Sequence, residues 1–259
     1  VNIVTQWQAV EYVTSQNLDR RAFALLDCIT VVPGAVGAWR AAAVRAAGGF
    51  SHDTLAEDQD LTLAVRRLGY RVAYAERAVA YTEAPDTLRG LARQRFRWAF
   101  GTLQCLWKHR DALLRPRYGA LGLVALPNVW LFQLLFTAVS PVADLMFVLS
   151  LLGAALAGAG RPGPAGPDAY GAGHCPLVGG QLGQVLAASL VFLAADWLAG
   201  VLAFRMERGE DRRLTRLIPL QRFAYRQVMY WVVLRSFAAA LRGRVVGWGT
   251  LERKATVRA

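Results

Sequence analysis

Gln94, Arg97 and Trp98 are spaced i, i+3, i+4, so a helix through them stacks an amide, a guanidinium and an indole on one face. Arginine presents a planar fork to phosphate oxygens, and tryptophan presents an apolar plane to a pyranose ring. Such a patch suits a sugar diphosphate. Upstream stands Glu57-Asp58, where Asp58 has the chemistry of a general base for a sugar hydroxyl. Each motif also has a plainer reading. The acidic pair fits a helix N-terminus favoured by the helix dipole. The second motif fits a basic amphipathic helix lying on a membrane, with Trp98 as its interfacial anchor. Asp58-Gln59-Asp60 has the form of a metal-binding pair, but a helix is expected to start right there.

The elements that must position these residues are mixed. Trp7 to Leu26 has helical periodicity. Ile29 to Val32, Val36 to Trp39, Tyr70 to Tyr74 and Ala78 to Tyr81 read as strands, and Pro33-Gly34 as a turn. Helices are expected over Arg40 to Ala47, stopped by Gly48-Gly49, and over Asp60 to Leu68, capped by Gly69. Thr87 is placed to cap a long helix running to about His109, which carries the Gln94/Arg97/Trp98 face. Residues 1–118 therefore read as an α/β region.

Composition then turns apolar. Hydrophobic residues make up 55% of the 259, and the net charge of +12 is almost wholly arginine, since only Lys108 and Lys254 are lysines. A basic surface of this kind draws nucleotide diphosphates and anionic lipid headgroups. Nucleic-acid binding would explain the charge but neither the apolar runs nor the motif spacing, so no nucleic-acid partner is expected.

From Leu121 to Ala157 only Asp144 is charged, which suits one long tilted span or two short ones. A Gly- and Pro-rich linker, 158–180, leads to a second span over Leu182 to Phe204, with Asp196 inside it. Charges within spans are costly, so the two acids either line a channel or pair with an arginine of a neighbouring helix. Leu217 to Leu241 carries Arg222, Arg226 and Arg235 and fits an interfacial helix, and the positive-inside rule puts the 205–216 loop and the tail in the cytoplasm. The expected division is 1–118, 119–241 as membrane and interfacial helices, and 242–259 as a basic tail. Neither Cys28, Cys105 and Cys175 nor the three histidines have zinc-site spacing.

Taken together, Glu57-Asp58 followed by Gln94/Arg97/Trp98 and then apolar spans resembles the processive, membrane-embedded family 2 glycosyltransferases. These include cellulose, chitin, hyaluronan and poly-N-acetylglucosamine synthases, whose shared pattern is an acidic base motif, QxxRW, then a channel. Val32 to Arg40, with Gly34 and Ala35, is similar to the acceptor-side turn, and Thr82-Glu83-Ala84-Pro85 to the lead-in of the QxxRW helix. Gly247 to Lys254 is similar to the gating loop of hyaluronan and chitin synthases, departing from it between Thr250 and Arg253.

The resemblance implies a partial GT-A-like domain followed by transmembrane helices, in a multi-pass protein of the bacterial plasma membrane whose catalytic part is cytoplasmic. It implies inverting transfer from a UDP-sugar to a growing polysaccharide, coupled to export through the enzyme's own channel. Asp58 would be the base, buried beside Glu57 with low water access, and Glu57 would orient the loop or acceptor. Gln94, Arg97, Trp248, Thr250 and Arg253 would face the donor diphosphate, and Trp98, Gly34 and Ala35 the acceptor. A divalent cation, magnesium or manganese, would be held mainly by an Asp-x-Asp pair upstream of Val1, at a strand end. None of its ligands is assigned to this chain.

Because it starts at Val1 without an initiator Met or a signal pattern, the chain reads as a fragment that should not turn over alone. Gln6 to Tyr12 and Trp39-Arg40 lean the resemblance toward N-acetylglucosamine polymerases. The alternatives are a non-processive lipid glycosyltransferase of the ceramide type and a catalytically silent membrane scaffold or export component.

Overall fold

The structure, a computed structural model, describes residues 2–159, 176–207 and 209–243. The first helix is longer than its periodicity suggests. Helix α1 (Ile3–Glu11) passes through a π-helical stretch, Tyr12–Leu18, into α2 (Asp19–Leu25). Asn2 starts it through a capping box, its side chain accepting from Thr5 N at 3.0 Å while its own N–H donates to Thr5 Oγ1. Helix α3 (Ala41–Ala46) ends at Gly48 and Gly49, whose φ angles of 86° and 84° lie in the left-handed region that favours glycine.

Helix α4 (Glu57–Arg67) begins three residues before the expected Asp60, so Glu57 and Asp58 sit in its first turn, as does Asp60. The positive end of the helix dipole favours that acidic start. Helix α5 (Leu88–Lys108) is capped by Thr87, which accepts from Gly90 N at 3.1 Å, and it carries the Gln94–Trp98 segment at its middle.

The four expected strands do not form a sheet. Among the described residues there is no strand, and residues 29–32, 36–39, 70–74 and 78–81 run as loops and turns. A strand exists only where a neighbour completes its ladder, and none of these segments finds one among the described residues. Residues 31–34 are instead tied to α4 by side chains, since Val32 N donates to Thr62 Oγ1 at 2.9 Å.

Among the described residues the apolar half is mostly helical. A π-helical turn (Leu121–Ala125), α6 (Leu126–Asn128), a second π-helical stretch (Val129–Leu135) and α7 (Phe136–Ala159) run on without a break, Pro127 and Pro141 included. Helix α8 (Pro176–Met206) follows, then a 3₁₀ stretch (Arg212–Leu217), α9 (Ile218–Gln221) and α10 (Tyr225–Leu241). Among the described residues two helices, Leu121–Gly153 and Leu186–Met206, are long and apolar enough to cross a membrane. Their side chains face outward, with Leu149 57% and Val191 69% exposed. At about 1.5 Å per residue the first is longer than the ~30 Å hydrocarbon core. The 158–180 linker falls largely outside the described residues.

Two acids within these helices are paired. Arg222 donates to Asp144 Oδ1 at 2.9 Å and Gln227 to its Oδ2 at 2.9 Å, while Arg226 reaches Asp196 at 2.8 Å. Helix α10 thereby ties both long helices together, and it also packs along α5, where Leu55, Phe100 and Ala239 share one buried cluster. A larger cluster joins Leu63 of α4 and Leu103 and Leu106 of α5 to Leu121, Leu126 and Val129 of the long apolar run. The segment that starts α4 is thus wedged between α5 and the apolar helices.

Candidate active site

Asp58 occupies the junction of three segments. Its Oδ1 accepts from Gln59 N at 2.8 Å, the ordinary contact of a helix N-terminus. Its Oδ2 accepts from Gly34 N at 2.9 Å, which no helix requires. Thr62, one turn on and fully buried, donates to the Asp58 carbonyl at 2.6 Å and accepts from Val32 N. The turn Val32–Gly34 is therefore held against the first turn of α4 at two points. A β-carbon added to Gly34 would lie 3.5 Å from Asp58 Oδ2, an ordinary van der Waals contact, so the hydrogen bond and not the missing side chain sets this approach. Ala35 follows in the same turn and is exposed.

Helix α5 meets the same junction from the other side. Gly101 packs so closely that a β-carbon there would lie 2.8 Å from both the Ala56 nitrogen and its β-carbon. Around this contact Gln104 Oε1 accepts from Leu55 N at 2.9 Å, Thr102 Oγ1 donates to Gln59 Oε1 at 2.8 Å, and the Cys105 thiol donates to the Ala56 carbonyl at 3.4 Å. Burial pushes that thiol up to about 12, so Cys105 is a packing residue and not a nucleophile.

Arg97 is one turn before Gly101, on the face that meets α4, and its charge is felt at Glu57. Burial raises the Glu57 carboxyl above its ordinary value and the Asp58 charge adds to this, while Arg97 opposes both. Arg97 is in turn lowered by burial and by the charge of Arg93. Arg20, on α2, is lowered by burial and lies within reach of the Asp58 charge.

The structure therefore brings Gly34, Glu57, Asp58 and Arg97 into one neighbourhood. Gln94 and Arg97 are half-buried, and the Trp98 indole is 40% exposed. Gln94 and Trp98 are linked through Arg95, which sequence reasoning passed over. Arg95 donates to Gln94 Oε1 at 3.0 Å, and its guanidinium lies 4.1 Å from the centre of the Trp98 ring. Trp248, Thr250 and Arg253 lie outside the described residues.

Asp60 parts company with Asp58. It turns to the opposite side of α4, where His109 Nε2 meets its Oδ1 at 2.8 Å, and Lys108 and Ser51 donate to its Oδ2 at 2.8 and 2.7 Å. Arg67, which can only donate, meets His109 Nδ1 at 3.0 Å, so the His109 Nε2–H is the donor to Asp60. Burial alone would raise the Asp60 carboxyl, but the bonds from His109, Lys108 and Ser51 outweigh it and hold it well below the usual range. Asp58 and Asp60 thus do not act as a pair. Among the described residues no group of three or more His, Cys, Asp or Glu is placed to hold a metal ion. These residues do not make a divalent-cation site by themselves.

Comparison with known proteins meets this geometry at the same segments. Residues 1–162 match the profile of "Glycosyl transferase family group 2". The chain belongs to glycosyl transferase family 2. The matched stretch takes in Gly34, Glu57, Asp58 and the Gln94–Trp98 face, and it continues into the first long apolar helix.

This family 2 chain is 26% identical to poly-beta-1,6-N-acetyl-D-glucosamine synthase of Staphylococcus aureus (strain COL) over 152 residues, which cover 59% of the chain and 34% of the relative. It is 37% identical to "Probable glycosyltransferase YdaM" of Bacillus subtilis (strain 168) over 73 residues, 28% of the chain and 17% of that relative. The chain spans about a third or less of the length of these relatives. No solved structure matches it.

Proposed function

We propose that this family 2 chain is the acceptor-side and membrane-proximal part of an inverting glycosyltransferase that moves a sugar from a UDP donor to a growing polysaccharide. The single observation that carries this reading is the three-way junction at Asp58. Gly34 N fixes the carboxylate, and Gly101 lets α5 dock on Ala56 with Arg97 beside Glu57. A base and a diphosphate-binding cation thereby share one site.

Asp58 removes the proton of the acceptor hydroxyl as that oxygen attacks the anomeric carbon, and the bond to the UDP phosphate oxygen breaks. Arg97 and Gln94 meet the negative charge that grows on the leaving diphosphate. Trp98 stacks on the acceptor sugar, with Gly34 and Ala35 on its other side, and Glu57 orients the acceptor. Trp248, Thr250 and Arg253 are assigned to the donor nucleotide by their resemblance to the gating loop alone. A divalent cation, if one serves the diphosphate, would be held by residues other than those described and would offset the charge on the leaving group.

The two outward-facing apolar helices support a place in the bacterial plasma membrane, in contact with its lipids, with the site on the cytoplasmic side and the product leaving through the membrane. The similarity to a poly-N-acetylglucosamine synthase favours N-acetylglucosamine as the sugar. The experiment is mass analysis of the polymer made by the full-length protein in membranes offered several UDP-sugars. A β-linked polymer of N-acetylhexosamine is expected. A glycolipid product, or no transfer from any donor, overturns the reading.

A further inference from the structure

The roles above leave out Arg95, although it stands between Gln94 and Trp98 and its side chain is only 4% exposed. A guanidinium buried this deeply needs its charge matched. Here Glu11 of α1 supplies the countercharge, and the Tyr225 hydroxyl of α10 lies 3.4 Å from Nη2. Tyr225 itself donates to Glu11. Two helices far apart in sequence, α1 and α10, thus converge on one side chain of α5, and Val4, Leu91 and Tyr225 close an apolar cluster beside it. The arrangement fixes the guanidinium plane as well as its charge.

That fixed plane acts on two neighbours. Nη1 donates to Gln94 Oε1 at 3.0 Å. With its oxygen engaged, the Gln94 amide directs its two N–H donors away from Arg95, the polarity that an anionic diphosphate needs. The guanidinium also lies 4.1 Å from the Trp98 ring centre, covering one face of an indole that is otherwise 40% exposed. An exposed indole with no neighbour samples several rotamers. With Arg95 under one face, the opposite face is the one left for a pyranose.

We propose that Arg95, anchored by Glu11 and Tyr225, is a positioning residue that sets the amide polarity of Gln94 and the plane of Trp98. What the two side chains bind rests on the sugar-transfer reading; how they are held does not. Lysine at 95 keeps the charge opposite Glu11 but loses the fork and the flat stacking surface, so Arg95→Lys isolates the positioning role.

The test uses the full-length protein and two readouts. In the first, the fluorescence of Trp98 is isolated as the difference between the protein and its Trp98→Phe variant, with and without Arg95→Lys. Arg95→Lys is expected to shift the Trp98 emission and raise its quenching by acrylamide; an unchanged difference spectrum overturns the proposal. In the second, the ratio of sugar transfer to donor hydrolysis is expected to fall on the order of tenfold in Arg95→Lys, equivalent to about 1.4 kcal/mol. It should fall no further when Arg95→Lys is added to Trp98→Ala. Independent losses in the double variant would show that Arg95 does not act through Trp98. If the unmodified protein transfers no sugar, the functional reading fails while the difference spectrum still decides the placement of Arg95. Should Arg95→Lys not fold, Tyr225→Phe, which removes one anchor and keeps Glu11, is expected to give a smaller shift of the same sign, and no shift overturns the proposal.

Discussion

The backbone N–H of Gly34 donates to Asp58 Oδ2 over 2.9 Å, joining a turn to a helix start 24 residues further on. A helix N-terminus alone would use the acid for its own N–H groups, and Oδ1 does so at Gln59. The second oxygen is committed to the turn that precedes the site. Because Thr62 ties Val32 to the same helix turn, the carboxylate is held in one orientation instead of swinging toward solvent.

Asp58→Asn is therefore a clean probe in the full-length protein. The amide keeps an oxygen for Gly34 N–H, so the turn stays in place, and what is lost is the base together with the bond from Gln59 N at the helix start. Transfer should drop by about 10²–10⁴-fold, the usual contribution of a general base, while UDP binding by calorimetry stays near its original value. Equal loss of both would make Asp58 a structural residue.

Gly101 sets how closely α5 approaches that base. Alanine at this position gains roughly 1 kcal/mol of helix propensity. Its β-carbon, however, would stand 2.8 Å from the Ala56 nitrogen, a backbone atom that cannot rotate away. Overpacking of this kind costs about 1–3 kcal/mol, so the clash wins. Gly101→Ala should lower the unfolding temperature in detergent and cut transfer. Gly153→Ala, where nothing lies within 4 Å, serves as the control and should be neutral or slightly stabilising.

The helices were largely legible in the sequence, and the pairing of distant segments was not. Thr87, Gly48-Gly49 and Gly69 are local signals, and each marks a helix boundary in the structure. The start of α4 came three residues early because acidic residues in a first turn are a weaker signal than a cap. The β-branched runs 29–32 and 70–74 read as strands because propensity reports local fit to a pleated surface, whereas a strand needs a partner that propensity does not specify. Arg95 was hidden for another reason. Its neighbours Gln94, Arg97 and Trp98 form an exposed face by spacing, but the burial of Arg95 depends on Glu11 and Tyr225, 84 and 130 positions away.

Asp60 should make stability fall in acid. Its folded carboxyl is held below the unfolded value near about 3.9, so its stabilisation is complete above that value and is lost as pH falls through the lower folded one. Denaturant unfolding between neutral pH and about pH 3 should show the onset of this loss, confined to the range below about pH 4, in the unmodified protein. Asp60→Asn should be less stable at neutral pH by about 1–3 kcal/mol, the range for hydrogen bonds to a charged group, and should show a flatter acid limb. An unchanged acid limb would place the acid sensitivity elsewhere.

Trp98→Ala separates the two substrates. The indole is exposed, so its loss should leave Glu57 and Arg97 in place and spare donor activation. Loss of one stacking face is worth about 1–3 kcal/mol by analogy with other aromatic platforms. The ratio of transfer to donor hydrolysis should fall accordingly, with little change in the donor KM. A raised donor KM with an unchanged ratio would reassign Trp98 to the nucleotide side.

The pair Asp144–Arg222 distinguishes a structural role from a channel lining. Both side chains are mostly buried, 16% and 14% exposed, and Gln227 completes the set by donating to Asp144 Oδ2 at 2.9 Å. Removing one partner of such a pair leaves the other charge unmatched in an apolar setting, at a cost of about 3–5 kcal/mol. Replacing both partners by apolar residues of similar size is often neutral. Asp144→Leu and Arg222→Met should each reduce the amount of folded protein recovered from membranes, and the double variant should recover most of it. If the pair only joins α7 to the turn before α10, the double variant also regains polymer synthesis. Recovery of folded protein without recovery of polymer release would instead give Asp144 a direct contact with the departing chain.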